Sequence, residues 1–358
     1  MGNSHPGPAA VRAPVSKFYS SGAWIEGRAE HQLDAVAGWD GMRAVAAFPD
    51  LHPGRHGPVG AAFLADRLYP QLVGPDIGCG MALFRLDLPR RKLKLDKAAR
   101  RMEVLDEPLD ASGTGTIGGG NHFCELQVVI EALGREAETL GLAQDDLCLL
   151  VHSGSRGLGA SIFNSISESW ASGFAPDSTE GRTYLELHDR AVAWARLNRR
   201  TIAQRAASAL RTELEPICDA AHNLVTPHEG GWLHRKGAAA PDGGLAPLAG
   251  SREHQSHLIV APTREDALNS VSHGAGRRYD RSSMHGRVRK VKSGLEALKK
   301  NRFGGVIVCE DRDLLVEEAG AAYKDPAAVL ADLQAFGLAR PVASLAPLLT
   351  FKTAGARR

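Results

Sequence analysis

The sequence lacks a surplus of charge of either sign, because 43 lysine and arginine residues face 41 aspartate and glutamate residues. The net charge of +2 therefore identifies no class of partner. The chain also lacks an uninterrupted apolar run of roughly eighteen residues, which a membrane span needs, and its first residues lack the apolar core of a secretory signal. These absences predict a cytoplasmic protein without a membrane partner.

Cysteine is scarce, and its spacing excludes two common uses. The five cysteines, at positions 79, 124, 148, 218 and 309, form no CxxC pair and no closely spaced even set. A zinc ribbon and a disulfide framework are therefore not supported. Free thiols fit a reducing compartment, which agrees with the cytoplasmic expectation.

The composition is that of a folded globular protein of 358 residues, with 43% hydrophobic and 23% charged residues. Residues 1–16 are rich in glycine, proline, alanine and serine, so we expect a mobile tail there. Helical and strand patterns are mixed without regular βαβ alternation or an internal repeat. We therefore predict one large α+β domain over residues 17–358, with mixed β-sheets and surrounding helices.

Several elements can be placed along the chain. Short apolar runs bounded by glycine, proline or charge predict strands at 81–88, 147–151, 257–261 and 305–308. Helical spacing predicts a long helix over 183–221, kinked or divided at Pro216. Asp325 as the N-cap, Pro326 at the first helical position and Gly337 as the stop predict a second helix.

A possible metal ligand set begins at Asp76 and Cys79, which are three residues apart, with glycine on both sides of the cysteine. A thiolate is a strong ligand for transition metals and can bridge two ions. A buried cysteine in a turn is the other interpretation, and this motif alone favours the two about equally.

Four histidines occur in polar or glycine-rich settings rather than on apolar faces: His122, His152, His222 at the end of the predicted long helix, and His273. Each one alone is more often structural than a ligand. Together with the carboxylate and the thiol, they match the oxygen, nitrogen and sulfur donors of a transition-metal centre, with Mn or Zn favoured over Ca or Mg.

Glycine and basic residues add a phosphate-binding signal. The glycine-rich loop 113–120 offers backbone N–H groups to a phosphate, although no Walker A sequence is present. Residues 85–101 carry eight basic residues and 277–302 carry ten, each against two acidic residues. Such stretches are most often solvated helix faces, so nucleic-acid binding stays open on charge alone.

Eight motifs in order resemble those of the RtcB family of RNA-splicing ligases. They are PDLHPG (49–54), DIGCGM (76–81), GNHFCE (120–125), HSGSRG (152–157), HN (222–223), RKGA (235–238), SHGAGR (272–277) and EAGAAYKD (318–325). The resemblance covers nearly the whole chain after the predicted tail. It implies the family's fold and an RNA ligase that uses Mn²⁺ and GTP.

The resemblance also implies roles for individual residues. Asp76, Cys79 and His122 would hold one Mn²⁺ ion, and Cys79, His152 and His222 a second, with the thiolate bridging. His273 would attack the α-phosphorus of GTP, and the resulting histidine-GMP would activate an RNA 3′-phosphate, formed from a 2′,3′-cyclic phosphate, for joining to a 5′-hydroxyl. The implied nucleotide-binding residues are Asn121, Glu125, Asn223, Ser251, Ser256, Gly274, Ala275, Gly276, Tyr323 and Lys352. The basic stretch 277–302 starts beside His273, which favours an RNA partner.

Three residues depart from the family pattern. Arg252 and Glu253 stand where small residues are usual, and Gly320 stands where the family has proline. With a chain shorter than is typical, these departures suggest a divergent branch that repairs broken tRNA or ribosomal RNA, with altered nucleotide preference. The implied partners are RNA with broken ends, GTP and an activating or release-factor-like protein, and the implied state is a monomer.

Two other functions remain open. A metal-dependent cyclic phosphodiesterase would need the metal ligands but no guanine pocket. A non-ligating paralogue that binds RNA ends would need neither a nucleophile nor a full ligand set. Retention of His273 and of every candidate ligand favours the ligase.

Overall fold

The protein, seen in a computed structural model, is described over residues 12–110, 113–166, 172–288 and 292–353. Its strands are β1 (Val15–Lys17), β2 (Met42–His52), β3 (Val59–Ala65), β4 (Gly80–Leu86), β5 (Phe123–Ala132), β6 (Leu147–Ser153), β7 (Leu214–Ala221), β8 (Asn223–His228), β9 (Gly231–Lys236), β10 (Ala238–Ala239), β11 (Leu245–Leu248), β12 (Ser256–Val260), β13 (Val271–Ser272), β14 (Val306–Val308) and β15 (Arg340–Phe351). Its α-helices are α1 (Gly27–Ala37), α2 (Leu95–Met102), α3 (Gly134–Thr139), α4 (Arg156–Ser165), α5 (Thr179–Leu210), α6 (Arg281–Arg287), α7 (Lys292–Ala297), α8 (Arg312–Glu317) and α9 (Pro326–Ala335).

Two sheets form the framework. The larger sheet has the strand order β11-β12-β15-β5-β6-β4-β7, with β14 added in parallel to β15. The smaller sheet has the order β1-β2-β3-β9-β8, and β10 pairs separately with β13. Most pairs are antiparallel, whereas β1–β2 and β14–β15 are parallel. The predicted α+β class with mixed sheets and helices packed outside is confirmed.

The long helix is displaced from its predicted position. Helix α5 begins where the Ser178 side chain accepts a hydrogen bond from the Gly181 N–H. It ends at Leu210 because Arg211 adopts the left-handed conformation, with φ of 62°. Pro216 lies in β7, which pairs only with β4 on the sheet path, so the prediction of a helix through 221 is wrong. An edge strand tolerates proline because the missing N–H need not serve a second neighbour.

The shorter predicted elements are found close to their predicted bounds. Strands β4, β6, β12 and β14 overlap the four predicted runs. Helix α9 begins where the Asp325 carboxylate accepts the Ala327 N–H, and Gly337 after its end has φ of 68°. No helix in the described ranges combines the length and apolar character that crossing a membrane requires.

The boundary of the predicted tail lies too late in the sequence. Residues 1–11 fall outside the described ranges. Val15 and Ser16, which the prediction placed in the tail, pair in parallel with Val45 and Ala46 of β2. Ala13 is buried, so the folded part begins before residue 17.

Candidate metal centre and nucleotide pocket

Cys79 lies just before β4, and its glycine neighbours let it sit between α5 and β7. At Gly78, where φ is 72°, an added Cβ would lie 2.8 Å from the Cα of Val192 in the helix. At Gly80, an added Cβ would lie 2.8 Å from the Cα of Ala221 in the strand. A side chain at either glycine would therefore force the helix or the strand away from the cysteine.

Strand register brings three histidines to the same edge of the large sheet. His152 in β6 pairs with Met81 of β4 on one side and with Phe123 of β5 on the other. His122 directly precedes β5, and His222 connects β7 to β8. The prediction that His222 ends the long helix is therefore wrong, but the residue still reaches the same edge because β7 pairs with β4.

The predicted ligand atoms converge into two groups that share one sulfur. The Sγ atom of Cys79 lies 3.2 Å from Nε2 of His152 and 3.4 Å from Nε2 of His122. Nε2 of His122 lies 2.8 Å from Oδ2 of Asp76, and Nε2 of His152 lies 3.3 Å from Nε2 of His222. Within each group, Asp76–Cys79–His122 and Cys79–His152–His222, the ligand atoms all lie within 4.8 Å of one another.

The ionisation of these groups suits metal binding. Burial, with positive charge nearby, lowers the pKa of His152 and of His222 well below the ordinary value, so both rings are neutral at pH 7. His152 Nδ1 donates to the Asn121 carbonyl at 3.1 Å, which leaves its Nε2 as a lone-pair donor. Burial alone would raise the pKa of Asp76, but His122 outweighs it and the pKa falls to about 2.

The donor set fits a transition-metal ion. Carboxylate oxygen, imidazole nitrogen and thiolate sulfur together suit Mn or Zn better than Ca or Mg. Burial, and then the charge of Asp76, raises the pKa of Cys79 well above its ordinary value. A cation beside the sulfur would reverse this, because it stabilises the thiolate. The five converging residues could therefore hold one ion or two.

Arg199 of α5 supports the centre from the side of the helix. Its side chain is completely buried. Nη1 donates to the carbonyls of Gly78 at 2.7 Å and Ser153 at 2.8 Å, and Nε donates to Asp219 at 2.8 Å. The guanidinium therefore joins the cysteine turn to the end of β6. Sequence reasoning missed this residue because it lies in a helix without a recognisable motif.

A buried carboxylate orients His273 beside the metal ligands. Nδ1–H of His273 donates to Oδ2 of Asp50 at 2.7 Å, and the Ser272 hydroxyl donates to Oδ1 at 2.8 Å. Asp50 is completely buried. The His273 ring lies 4.6 Å from the His222 ring, measured between centroids. The His273 ring thus lies beside the candidate metal ligands, and the carboxylate fixes its tautomer by accepting the hydrogen bond from Nδ1–H.

One cavity of about 290 Å³ unites His273 with four of the predicted metal ligands. Nine of the predicted nucleotide-binding residues also line it: Asn121, Glu125, Asn223, Ser251, Gly274, Ala275, Gly276, Tyr323 and Lys352. The tenth, Ser256, is not among the lining residues. It is buried behind the wall, where its hydroxyl accepts the Gly250 N–H and a hydrogen bond from Gln127 at 3.1 Å each.

Charged side chains of both signs form one wall of the cavity. Burial raises the pKa of Glu125 to about 7 and lowers the pKa of Lys352 to about 8. Burial opposes ionisation of Glu318 as well, but Lys352, Arg277 and Arg281 outweigh it and bring its pKa to about 2. The wall therefore offers both donors and acceptors to a polar ligand.

The three residues that depart from the family pattern lie together. Arg252 lines the cavity, is 5% exposed, and donates from Nη2 to the Leu315 carbonyl at 2.6 Å. The Glu253 carboxylate accepts the Gly320 N–H at 2.9 Å. A Cβ at residue 320 would lie 2.6 Å from Oε2 of Glu253, so the glycine makes room for the glutamate.

Sequence reasoning named the motifs of two further site residues without assigning them roles. Asp50 lies in the 49–54 motif, and Glu318 lies in the 318–325 motif. Arg281 follows the 272–277 motif by four residues and lines the cavity. The signal that the sequence offered for all three was a charged residue inside or next to a motif.

The glycine-rich loop 113–120 serves packing at Gly115 rather than an open phosphate cradle. The Gly115 N–H donates to the Asn198 side chain at 2.7 Å, and its carbonyl accepts from Arg205 at 2.7 Å. Both partners belong to α5. One of the backbone N–H groups that the phosphate prediction counted is therefore already occupied.

Comparison with known proteins points to one family. The sequence matches the family described as tRNA-splicing ligase RtcB over residues 32–111 and 107–353. It is 40% identical to the RNA-splicing ligase RtcB2 of Escherichia coli strain ATCC 25922, over 96% of this chain and 97% of that protein. It is 26% identical to the RNA-splicing ligase RtcB of Escherichia coli K12, over 89% and 93% respectively. A Mycobacterium tuberculosis RNA-splicing ligase RtcB is 30% identical over 65% of this chain and 63% of its own length.

Proposed function

Because the chain belongs to the RtcB family, we propose that it is an RNA ligase that joins a 2′,3′-cyclic phosphate or 3′-phosphate end to a 5′-hydroxyl end, with GTP and Mn²⁺. One observation carries the proposal above the others. A buried carboxylate accepts a hydrogen bond from Nδ1 of His273, and His273 lines the same cavity as four of the five candidate metal ligands.

The metal ligands are assigned by proximity. Asp76, Cys79 and His122 would hold one Mn²⁺ ion, and Cys79, His152 and His222 the other. Bound there, the ions would neutralise phosphate charge during nucleotidyl transfer. The shared sulfur makes the two ions interdependent, since loss of Cys79 removes a ligand from each.

His273 is the nucleophile in this proposal. Asp50 accepts a hydrogen bond from Nδ1–H, which keeps the proton on Nδ1 and leaves the lone pair of Nε2 free to attack the α-phosphorus of GTP. The P–N bond forms as the bond to pyrophosphate breaks, and Asp50 stabilises the positive charge that develops on the ring. A 2′,3′-cyclic phosphate end is first opened by water, which breaks the bond from phosphorus to O2′ and leaves a 3′-phosphate. The RNA 3′-phosphate then takes GMP from the histidine, and the 5′-hydroxyl displaces GMP to close the strand.

The remaining cavity residues bind the nucleotide. Asn121 and Asn223 lie beside the metal ligands and would contact phosphate oxygens. Glu125 and Lys352 would face the donor and acceptor edges of guanine, because one is an acceptor and the other a donor. Ser256 supports this wall from behind, through Gln127, which also hydrogen-bonds Glu125 at 2.7 Å.

Covalent labelling tests the proposal. Purified protein is incubated with Mn²⁺ and GTP radiolabelled at the α-phosphate, denatured, and examined for label on the chain. We expect label on the wild type and on His31→Ala, which changes an exposed histidine, and none on His273→Ala. Absence of label on the wild type, with opening of cyclic phosphates retained, would support the phosphodiesterase instead.

A further inference from the structure

An exposed tryptophan, Trp24, and a half-buried tyrosine, Tyr279, form an aromatic pair, and the tyrosine follows His273 by six residues. Trp24 is 39% exposed, one of few large apolar side chains left in solvent among the described residues. Its ring lies 6.3 Å from that of Tyr279, at an interplanar angle of 66°. The two rings come from sequence segments more than two hundred residues apart, so the fold brings them together.

Arginine side chains accompany these rings. The Arg278 guanidinium lies 5.8 Å from the Trp24 ring centroid and 5.4 Å from that of Tyr279. The Arg287 guanidinium lies 3.7 Å from the Tyr279 centroid. Both arginines are exposed. In the same basic stretch, Arg277 instead pairs with Glu318 in the cavity wall, so the stretch is divided between the pocket and this surface.

Nearby acidic groups do not cancel the positive charge. Arg28, 63% exposed, lies 3.5 Å from Glu26. Asp280 caps α6 by accepting the Ser283 N–H at 2.7 Å, and Arg28 is among the groups that lower its pKa. This part of the surface therefore carries three arginines and two carboxylates, and one of the carboxylates, Asp280, is already hydrogen-bonded to the backbone.

One lysine connects this surface to the segment that contains Asp50, the carboxylate that orients His273. Lys324 Nζ lies 5.9 Å from the Trp24 ring centroid. The same Nζ donates to the carbonyls of Pro49 at 2.8 Å and Leu51 at 2.7 Å, on either side of Asp50. The rings thus lie within a few side chains of the carboxylate that orients the catalytic imidazole.

We propose that the Trp24 surface, defined as Trp24, Arg28, Arg278, Tyr279 and Arg287, binds single-stranded RNA next to the end being joined. Unpaired bases stack on exposed aromatic rings, and arginines contact the phosphates between them. The inference rests on the proposed function, since it takes RNA as the ligand. A strand bound here would have its reacting end directed toward His273.

Fluorescence anisotropy tests the proposal without the chemistry. The probe is a short fluorescein-labelled oligouridine with a 3′-phosphate, titrated with the full chain without GTP or metal. Trp24→Ala should weaken binding by about fivefold to a hundredfold, and Trp24→Phe should retain most of the affinity. Arg278→Gln and Arg287→Gln should each reduce the slope of log affinity against log salt by about 0.7. A blunt RNA hairpin should respond less to the tryptophan change, because its bases are already stacked.

Arg91→Gln is the matched control, since it removes an exposed arginine from the other basic stretch, 85–101. The proposal would be overturned if Trp24→Ala kept the wild-type affinity and Arg278→Gln kept the wild-type salt slope. A larger loss of affinity in Arg91→Gln than in these variants would also overturn it. Thermal melting checks the fold, and if Trp24→Ala does not fold, the Arg278→Gln/Arg287→Gln double variant decides. Failure of histidine labelling in the wild type would refute the proposed function separately, since the binding assay contains no GTP.

Discussion

Asp50→Asn separates the orienting role of the carboxylate from the folding of the site. The amide keeps the shape of the side chain but offers an N–H₂ group as well as an oxygen. If the nitrogen faces the ring, His273 takes the tautomer in which Nδ1 accepts and Nε2 carries the proton. Nε2 then has no lone pair for attack on phosphorus. If the oxygen faces the ring, the tautomer survives, but the developing positive charge loses its carboxylate partner.

The magnitude follows from these two losses. General-base and orienting carboxylates of this kind contribute about 10²- to 10⁴-fold to rate, which corresponds to roughly 3–5 kcal/mol of barrier. The cost to the free energy of unfolding is smaller, about 1–3 kcal/mol, because the buried group keeps most of its hydrogen bonds. We therefore expect Asp50→Asn to fold and to bind metal but to label with GMP very slowly.

The assay is the initial rate of histidine labelling, measured with saturating GTP and Mn²⁺ and accompanied by metal analysis of the same samples. Ser272→Ala is the matched control, because it removes one hydrogen bond to Asp50 at 2.8 Å and leaves the contact with His273. The control should label at nearly the wild-type rate. Wild-type labelling by Asp50→Asn would refute the assigned role, as would a parallel loss of bound metal and activity.

Three further predictions concern the metal centre, the residues that depart from the family pattern, and a buried lysine. Cys79→Ala should lose both metal ions by elemental analysis, because both ligand groups share its sulfur, whereas Cys148→Ala, in the buried core, should keep them. Gly320→Ala should lower the melting temperature, because its Cβ would lie 2.6 Å from Oε2 and 2.8 Å from Cβ of Glu253. Combining it with Glu253→Gly, which removes both atoms, should restore much of the loss, and strictly additive effects would contradict the contact. Burial lowers the pKa of Lys236 in the folded chain to about 7, whereas the unfolded chain keeps the ordinary value of 10.5. Between these two pH values the unfolded chain binds more protons than the folded chain, so the free energy of unfolding should rise with pH. The denaturation midpoint of Lys236→Met should rise less steeply between pH 7 and pH 9, and an unchanged slope would refute the assignment.

Local sequence signals were sufficient for elements with strong boundaries. Asp325, Pro326 and Gly337 fixed α9 because a cap, a first-turn proline and a left-handed glycine each act within a few residues. The end of α5 was missed because Arg211, rather than glycine, adopts the left-handed conformation there. The alanine-rich residues of β7 also fit a helical pattern, and only pairing with β4 determines that they form a strand.

The candidate site shows the same division between motif and long-range packing. Motifs were enough to select the candidate metal ligands and His273, since glycine, histidine and cysteine stand out in sequence. They could not show that Ser256 lies behind the wall, because its position depends on the pairing of β12 with β15. Nor could they show that Arg199 donates to Gly78 and Ser153, since these contacts join residues 121 and 46 positions apart in the sequence.

The central position of β15 has a consequence for synthesis of the protein. This strand pairs with β5, β12 and β14, although it follows all of them in the sequence. Until it leaves the ribosome, β5 and β12 each lack a neighbour, and Lys352 has not yet reached the cavity. A nascent chain tethered beside ribosomal and transfer RNA therefore cannot assemble the complete proposed nucleotide pocket until β15 is inserted.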